Sequence, residues 1–226
     1  MTTVADYFRD YAPRYDSFAS RAMPRYQEML SEIVRCLPDH ATDVLELGCG
    51  TGSLTALLAR RYPEGRIVTV DAADEMIARA RERLGSFAVR NGQVTFVSSL
   101  FEEMDVPERT YDLIVSNMSL HHVADKAPLY IRLQRALRPG GSFILGDELR
   151  GAMPRVEQLN RDGWLEYARR SGNLSATEIA DIIRHEQEFD HYETLTRQIE
   201  LLRGAGFASA DCAWRYLNYA VFVAEV

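Results

Sequence analysis

The stretch "VLELGCGTGSLT", Val44 to Thr55, sets three glycines, Gly48, Gly50 and Gly52, between an apolar run and a helix start. A glycine turn between a buried strand and a helix N-terminus lets a ligand approach the main chain, because glycine has no Cβ and tolerates positive φ. Spacing separates the ligands. Dinucleotide folds use G-x-G-x-x-G, whereas here the pattern is G-x-G-x-G and Ser53 stands where the third dinucleotide glycine would be. No lysine follows, which excludes a phosphate-gripping P-loop. Asp71 ends the next apolar run in "VTVDAADEM", where a carboxylate can accept hydrogen bonds from both hydroxyls of a ribose.

Outward from this turn the chain alternates strands and helices. "DVLELG" (43–48) is a short apolar run that suits a buried parallel strand, and "SLTALLARRY" (53–62) is amphipathic at helical spacing. "RIVTVD" (66–71), "QVTFVS" (93–98), "YDLIVSN" (111–117) and "GSFILGD" (141–147) read as further strands, with helices near 74–84 and 126–137 between them. Such repetition predicts an α/β, Rossmann-like, mostly parallel seven-stranded sheet with helices on both faces. Residues 2–36 carry two helical patterns, and 154–190 read as helical, with Ser175 to Glu178 forming a capping box. A helix over 193–205 stops at Gly206, and "DCAWRYLN" and "YAVFVAEV" supply a final hairpin whose last strand is antiparallel. With no repeat or linker, 1–226 reads as one domain: a helical cap over 1–40, a cofactor-binding core over 41–147, a helical lid over 148–193, and a final helix and hairpin over 194–226.

Composition narrows the partners. The 226 residues are 46% hydrophobic and carry a net charge of −7, a poor match for a phosphate backbone. Nucleic acid is therefore not an expected partner. No run approaches the roughly 18 apolar residues of a membrane span, and the polar, aromatic start is unlike a signal peptide, so the expected location is the cytoplasm. Cys36, Cys49 and Cys212 lie far apart without C-x-x-C spacing and suggest neither disulfides nor zinc.

At these motifs the chain resembles the class I S-adenosylmethionine-dependent methyltransferases. "VLELGCGTG" matches their first motif, "VTVDAADEMIARAR" the segment with the ribose-binding acid, "YDLIVSNMSLHHV" the fourth strand and its loop, and "LRPGGSFILGD" the turn into the fifth strand. The resemblance runs from Tyr15 to Pro139 and implies S-adenosyl-L-methionine as cofactor. It implies Glu46, Gly48, Gly50 and Gly52 near the methionine group, Asp71 on the ribose, Ala72 and Met76 beside the adenine, and Asn117 near the sulfonium. The family often has an acid after its third strand. Here "FVSSLFEEMD" has Ser98, Ser99 and Leu100, so a carbonyl, a serine hydroxyl or apolar contact with Leu100 and Phe101 takes its place.

Methyl transfer from a sulfonium is an in-line displacement that needs a positioned nucleophile more than a dedicated base. If a base serves, His121 and His122 are the candidates; the alternative, that His121 packs the loop and His122 caps the next segment, is favoured. No metal is expected: Asn117, Asp147 and Glu148 match a magnesium ligand set poorly. Tyr7, Tyr11, Arg14 and Tyr15 are candidates for the cofactor-side wall, and Arg150, Trp164, Tyr167 and His185 for the acceptor side. Each also reads as packing or helix surface. Tyr7 and Tyr11 are carried with Arg150, Trp164 and Tyr167 as substrate residues. An aromatic, partly basic enclosure would suit a small organic molecule.

The tail "YETLTRQIELLRGAGFASADCAWRYLNYAVFVAEV" resembles the subgroup that contains the carboxy-S-adenosylmethionine synthases. The leading expectation is methyl transfer to O, N or S of a small molecule. The alternatives are synthesis of the carboxylated cofactor and a non-catalytic cofactor-binding partner. The expected partner is a small-molecule substrate; the sequence also allows a homodimer.

Overall fold

The computed structural model describes residues 4–90, 92–170 and 173–226. Residues 2 and 3 of the expected N-terminal helical stretch, and 171 and 172 of the expected lid, lie outside the described residues. At the centre of the sheet is β1 (Asp43–Leu47), all five residues of which are buried, as suits a strand flanked by parallel neighbours and covered on both faces. It pairs in parallel with β2 (Arg66–Asp71) on one side and β4 (Tyr111–Asn117) on the other. β3 (Val94–Ser98) lies parallel beyond β2, and β5 (Leu137–Arg150) parallel beyond β4. β8 (Tyr219–Glu225) then runs antiparallel to β5, and β7 (Ser209–Tyr216) antiparallel to β8. The order β3-β2-β1-β4-β5-β8-β7 contains the seven expected strands. An eighth, the two-residue β6 (Glu193–Thr194), pairs with the end of β5 and is too short to leave a periodic trace in sequence.

Alternation along each strand supplies two cores. On one face Leu45, Leu47, Ile114, Phe143 and Leu145 pack against α6 (Lys126–Ala136) and α9 (Leu195–Gly204). On the other, Val44, Leu113, Val115, Ile144 and Val221 pack against α3 (Tyr26–Cys36) and α4 (Ser53–Arg61). Each such buried side chain contributes roughly 1.5–3 kcal/mol. The helix expected to end at 84 reaches Arg90 as α5 (Asp74–Arg90), but Gly85 at φ 66° breaks its helical geometry.

The outlying helices meet over the sheet's carboxyl edge. The N-terminal part is α1 (Val4–Tyr11), a single 3-10 turn and α2 (Tyr15–Ala22). The stretch expected to be helical over 154–190 is two helices, α7 (Pro154–Arg169) and α8 (Ala176–Phe189). Ser175 opens α8 with the predicted capping box: its hydroxyl accepts from the Glu178 amide at 3.2 Å, and the Glu178 carboxylate accepts from the Ser175 amide at 2.8 Å. Arg21 on α2 reaches the same Glu178 at 2.8 Å and the Asn173 carbonyl at 2.7 Å. Trp164 on α7 donates to the Ala22 carbonyl at 3.0 Å. These bonds join the N-terminal helices to the later pair above the ends of β1, β2, β4 and β5, the edge at which open α/β sheets bind ligands.

Candidate active site

The glycine turn is shaped by what lies against it. Gly48 has φ 76°, and a Cβ there would fall 1.9 Å from Ser119 Oγ, so no other residue fits. The Gly50 amide donates to Asp71 Oδ2 at 2.8 Å, and the Ala73 amide to Oδ1 at 2.9 Å. The expected ribose acid is therefore also the strut that holds the turn from β2. An ionised carboxylate has about four acceptor positions, which leaves capacity for a ligand. Burial raises the Asp71 pKa, against the pull of these backbone donors. Gly52, at φ 83°, caps α4 and packs on Ala80.

Beside the turn opens a cavity of about 470 Å³. Six of the expected cofactor residues line it: Tyr15, Asp71, Ala72, Met76, Leu100 and Phe101. Ser98 and Ser99 line it too; the Ser99 hydroxyl donates to the Leu100 carbonyl at 3.0 Å, while Leu100 is 49% exposed, a rim ready to be covered by an apolar ring. Gly48 and Asn117 line a smaller adjoining space of about 40 Å³ with Tyr15 and Tyr26. Glu46 lines neither. Its Oε2 accepts from Thr55 at 2.7 Å and Thr69 at 2.9 Å, and its buried Oε1 has no partner. Burial raises its pKa to about 7 although both threonines pull it down.

A second cavity of about 100 Å³ lies under the lid, and Tyr15, Phe8, Met118 and His122 line both it and the large one. Of the expected substrate residues, Tyr7 and Trp164 line it. Tyr11 does not, but stacks on Tyr7 at 4.6 Å between ring centres. Tyr167 donates to the Ser20 carbonyl at 3.3 Å, and Arg150 is exposed at the end of β5. Arg14 lies over the Tyr11 ring. The enclosure anticipated as partly basic is acidic: His121, His122, His185, Glu148, Glu186 and Asp190 converge here, and no Arg or Lys is among the described residues lining either cavity.

Buried charge dominates this chamber. His121 Nδ1 meets Asp147 Oδ1 at 2.5 Å, with both side chains buried. Burial alone would lower the histidine's pKa, but the Asp147 charge and hydrogen bond outweigh it and hold it at about 9. His122, by contrast, is pushed down by burial and by its neighbour His121. Glu148 is raised well above the carboxylate range by burial and by Glu186, and Glu186 is pushed up to about 7 by burial and by Asp190. Asp190 is held at about 2 because His122 and His121 overcome its desolvation. Tyr192 donates to Asp190 Oδ2 at 2.6 Å. His185 stacks on Tyr7 at 4.0 Å, and burial takes it down to about 4. Lys126, the sole lysine, is buried and donates to the carbonyls of Val123 at 2.9 Å and His191 at 2.6 Å, pinning the His121–His122 loop to the segment after α8.

Met118, Glu186, Asp190 and Tyr192 were not anticipated from sequence. Met118 lines all three spaces and holds φ 54°, a conformation an unbranched non-glycine residue adopts at some cost. The density of histidines and acids in "HEQEFDHY" (185–192) was the available clue to the other three. The N-terminal helix is also latched to the turn: Asp16 accepts from Thr51 Oγ1 at 2.5 Å and pairs with Arg83, which donates to the Thr51 carbonyl at 2.8 Å.

A large, mostly apolar cavity, a turn without Cβ atoms on its ligand side, a strand-end carboxylate with spare acceptors and an unpartnered Glu46 oxygen together fit a nucleoside carrying an amino acid tail. Comparison with known proteins agrees. Residues 44–141 match a methyltransferase domain family. A carboxy-S-adenosyl-L-methionine synthase of Nautilia profundicola is 25% identical over 97% of this chain and 93% of its own. A trans-aconitate 2-methyltransferase of Acidovorax ebreus is 35% identical over 56% of this chain and 45% of its own, so the chain spans under half the length of that relative. The structure of a Haloferax volcanii methyltransferase activator with its methyltransferase contains a chain that superposes with a TM-score of 0.70, at 16% identity and 99% coverage of both chains. Residues 44–141 are thus a methyltransferase domain, and the cofactor is S-adenosyl-L-methionine.

Proposed function

We propose that this enzyme transfers a methyl group to an O, N or S atom of a small molecule held in the acidic chamber. The observation that carries this reading is the wall shared by the two cavities, formed by Phe8, Tyr15, Met118 and His122. A cofactor in the larger cavity and an acceptor in the smaller one approach each other across that wall. When bound, S-adenosylmethionine supplies an electrophilic methyl group on a sulfonium. The protein's part is to exclude water, aim the nucleophile and manage its proton. The glycine turn, Asp71, Met76 and the Tyr15 ring hold the cofactor side; Tyr7, Trp164 and the lid helices enclose the acceptor. His122, kept neutral at pH 7 by burial, can take the proton an O–H, N–H or S–H acceptor releases. The whole chain, from the cap (1–40) and core (41–147) to the lid (148–193) and tail (194–226), works here as one catalytic unit.

The full-length likeness to a carboxy-S-adenosyl-L-methionine synthase supports a second reading, formation of the carboxylated cofactor. The chamber argues against it. A carboxylate entering the site would meet the ionised Asp190, no Arg or Lys stands on the described walls, and the one cation there, His121, is already paired with Asp147 at 2.5 Å, so the entering charge goes unmatched in a poorly solvated site.

Incubation with S-adenosylmethionine and a panel of neutral, amine-bearing and acidic acceptors, read by mass spectrometry, tests both. Acceptor-dependent S-adenosylhomocysteine is the expected product, with the His122→Ala variant slowed about 10²–10⁴-fold and its cofactor affinity retained. A cofactor product heavier by a carboxylate on addition of prephenate would transfer the function to the synthase reading. Tight cofactor binding with no product from any acceptor would favour a non-catalytic partner.

A further inference from the structure

We infer that His121, His122 and Asp190 form a binding site for one divalent transition-metal ion in the acceptor chamber. No metal was expected from sequence, and the set weighed there, Asn117, Asp147 and Glu148, is not the set the fold assembles. Each of the three residues offers one ligand atom, and these atoms lie within 4.8 Å of one another. Donors around a zinc-like ion stand roughly 3–4 Å apart, a contraction within reach of small rotations by side chains that border an open cavity.

The independent observation is a set of orphaned atoms. His122 Nδ1 and Nε2, His185 Nδ1 and Asp190 Oδ1 are all buried without a hydrogen-bond partner. His122 Nδ1 does lie 2.9 Å from Asp190 Oδ1, but out of line for a ring N–H bond, so both atoms remain unsatisfied. The Asp190 side chain is only 3% exposed. Buried polar groups are nearly always partnered, and a cluster of exceptions marks a missing water or ion. Charge decides between the two. His121 meets Asp147 at 2.5 Å, and Lys126 spends its ammonium on the carbonyls of Val123 and His191, so neither cation contacts Asp190 Oδ1. A metal ion would supply that atom with a positive partner, and a water would not.

The far side of two of the three ligands is already held. Asp147 takes the Nδ1 of His121 at 2.5 Å, leaving Nε2 to offer, and Tyr192 takes Oδ2 of Asp190 at 2.6 Å, leaving Oδ1. A carboxylate on the back of a ligating histidine fixes its tautomer and raises its basicity. Two imidazoles and a carboxylate suit zinc, iron(II), cobalt or nickel, and disfavour magnesium and calcium, which prefer all-oxygen sets. An ion here would take the lone pair through which metal-free His122 accepts a proton; in the loaded protein the ion itself would hold the acceptor through an oxygen or nitrogen lone pair and lower the pKa of the group to be methylated. Metal binding stands apart from the methyl-transfer reading, since the site can fill whether or not the enzyme turns over.

The test is titration of the chelator-stripped, full-length protein with Co²⁺, followed by visible absorption and equilibrium dialysis. Uptake of about one equivalent with a visible ligand-field band is expected. His122→Gln and Asp190→Asn should each weaken it by about tenfold or more, while His40→Ala, on an exposed residue, should leave it unchanged. Failure of the wild-type protein to take up Co²⁺ at millimolar concentration, or uptake unaltered in both variants, would overturn the site. Should the variants not fold, X-ray absorption of the zinc-loaded wild type decides: two imidazoles with oxygen support the assignment, and sulfur ligation or fewer than two imidazoles overturns it.

Discussion

The large cavity beside the glycine turn and the smaller chamber proposed for the acceptor share a wall yet are built on opposite rules. The first is made by backbone: a turn whose shape is fixed by positive φ at three glycines, with one carboxylate whose charge is met by amide donors. The second is made by side chains: histidines from the loop after β4, acids from the end of β5, and further groups from α8 and the segment beyond it. In the first, polar groups find partners locally. In the second, ionisable groups face one another across the chamber, and burial and mutual charge set their protonation. A ligand with an invariant shape suits the former, and a site that must accept and release protons suits the latter.

The largest expected effect comes from the acceptor side. Asp147→Asn leaves His121 buried without its counter-charge, and breaking such a pair costs about 3–5 kcal/mol. His121 has its folded pKa raised to about 9 from an unfolded 6.5. Its contribution to stability is therefore fully present below about pH 6.5 and disappears as pH rises through about 9. Urea denaturation should show the wild type well ahead of the variant at pH 6 and the gap narrowing by pH 10. A gap that does not depend on pH would mean that the pair is not ionic.

Gly48→Ala comes next. It adds a Cβ into Ser119 at φ 76° and should cost about 2–4 kcal/mol from overpacking and strain together. Gly140→Ala is the control: φ is 79° but nothing lies within 4 Å, so only the conformational term of about 1 kcal/mol applies. Equal losses at the two positions would show that contact with Ser119 does not shape the turn.

Asp71→Ala should weaken cofactor binding by about 1–3 kcal/mol, measured by calorimetry with S-adenosylhomocysteine. It should also lower the melting temperature, because the Gly50 and Ala73 amides lose their acceptor. Loss of stability with unchanged affinity would make Asp71 a strut alone. The smallest effect is expected far from both sites. Ser175→Ala removes the capping box of α8 at about 1 kcal/mol, and a larger fall would mean that the lid governs global unfolding.

Legibility followed the same division. The glycine turn, β1, β2, β4 and the capping box at Ser175 were visible because each is local: a period, a spacing or a pair of residues three apart carries it. Six of the residues expected at the cofactor line one cavity. The acceptor chamber was only partly visible. His121, His122 and His185 could be singled out, but Asp190 acts through His122 and His121, more than sixty residues away. No window of sequence contains that relation. Arg150 shows the converse error, a residue chosen for its charge at a strand end that faces solvent, because β5 continues to its own last residue before the chain turns. Met118 left no trace at all, since its part depends on a backbone angle at the exit of β4.

The lysine beneath the His121–His122 loop gives the molecule a built-in clock. The other basic side chains are all arginine or histidine, so amine-directed reagents find one ε-amine in the chain, and it is 3% exposed at the chamber's base, bonded to Val123 in its own loop and across to His191 after α8. Acylation at Lys126 requires that base to come apart. Its rate, followed by peptide mass in the presence and absence of cofactor, therefore times how often the chamber opens and whether filling the neighbouring cavity keeps it shut.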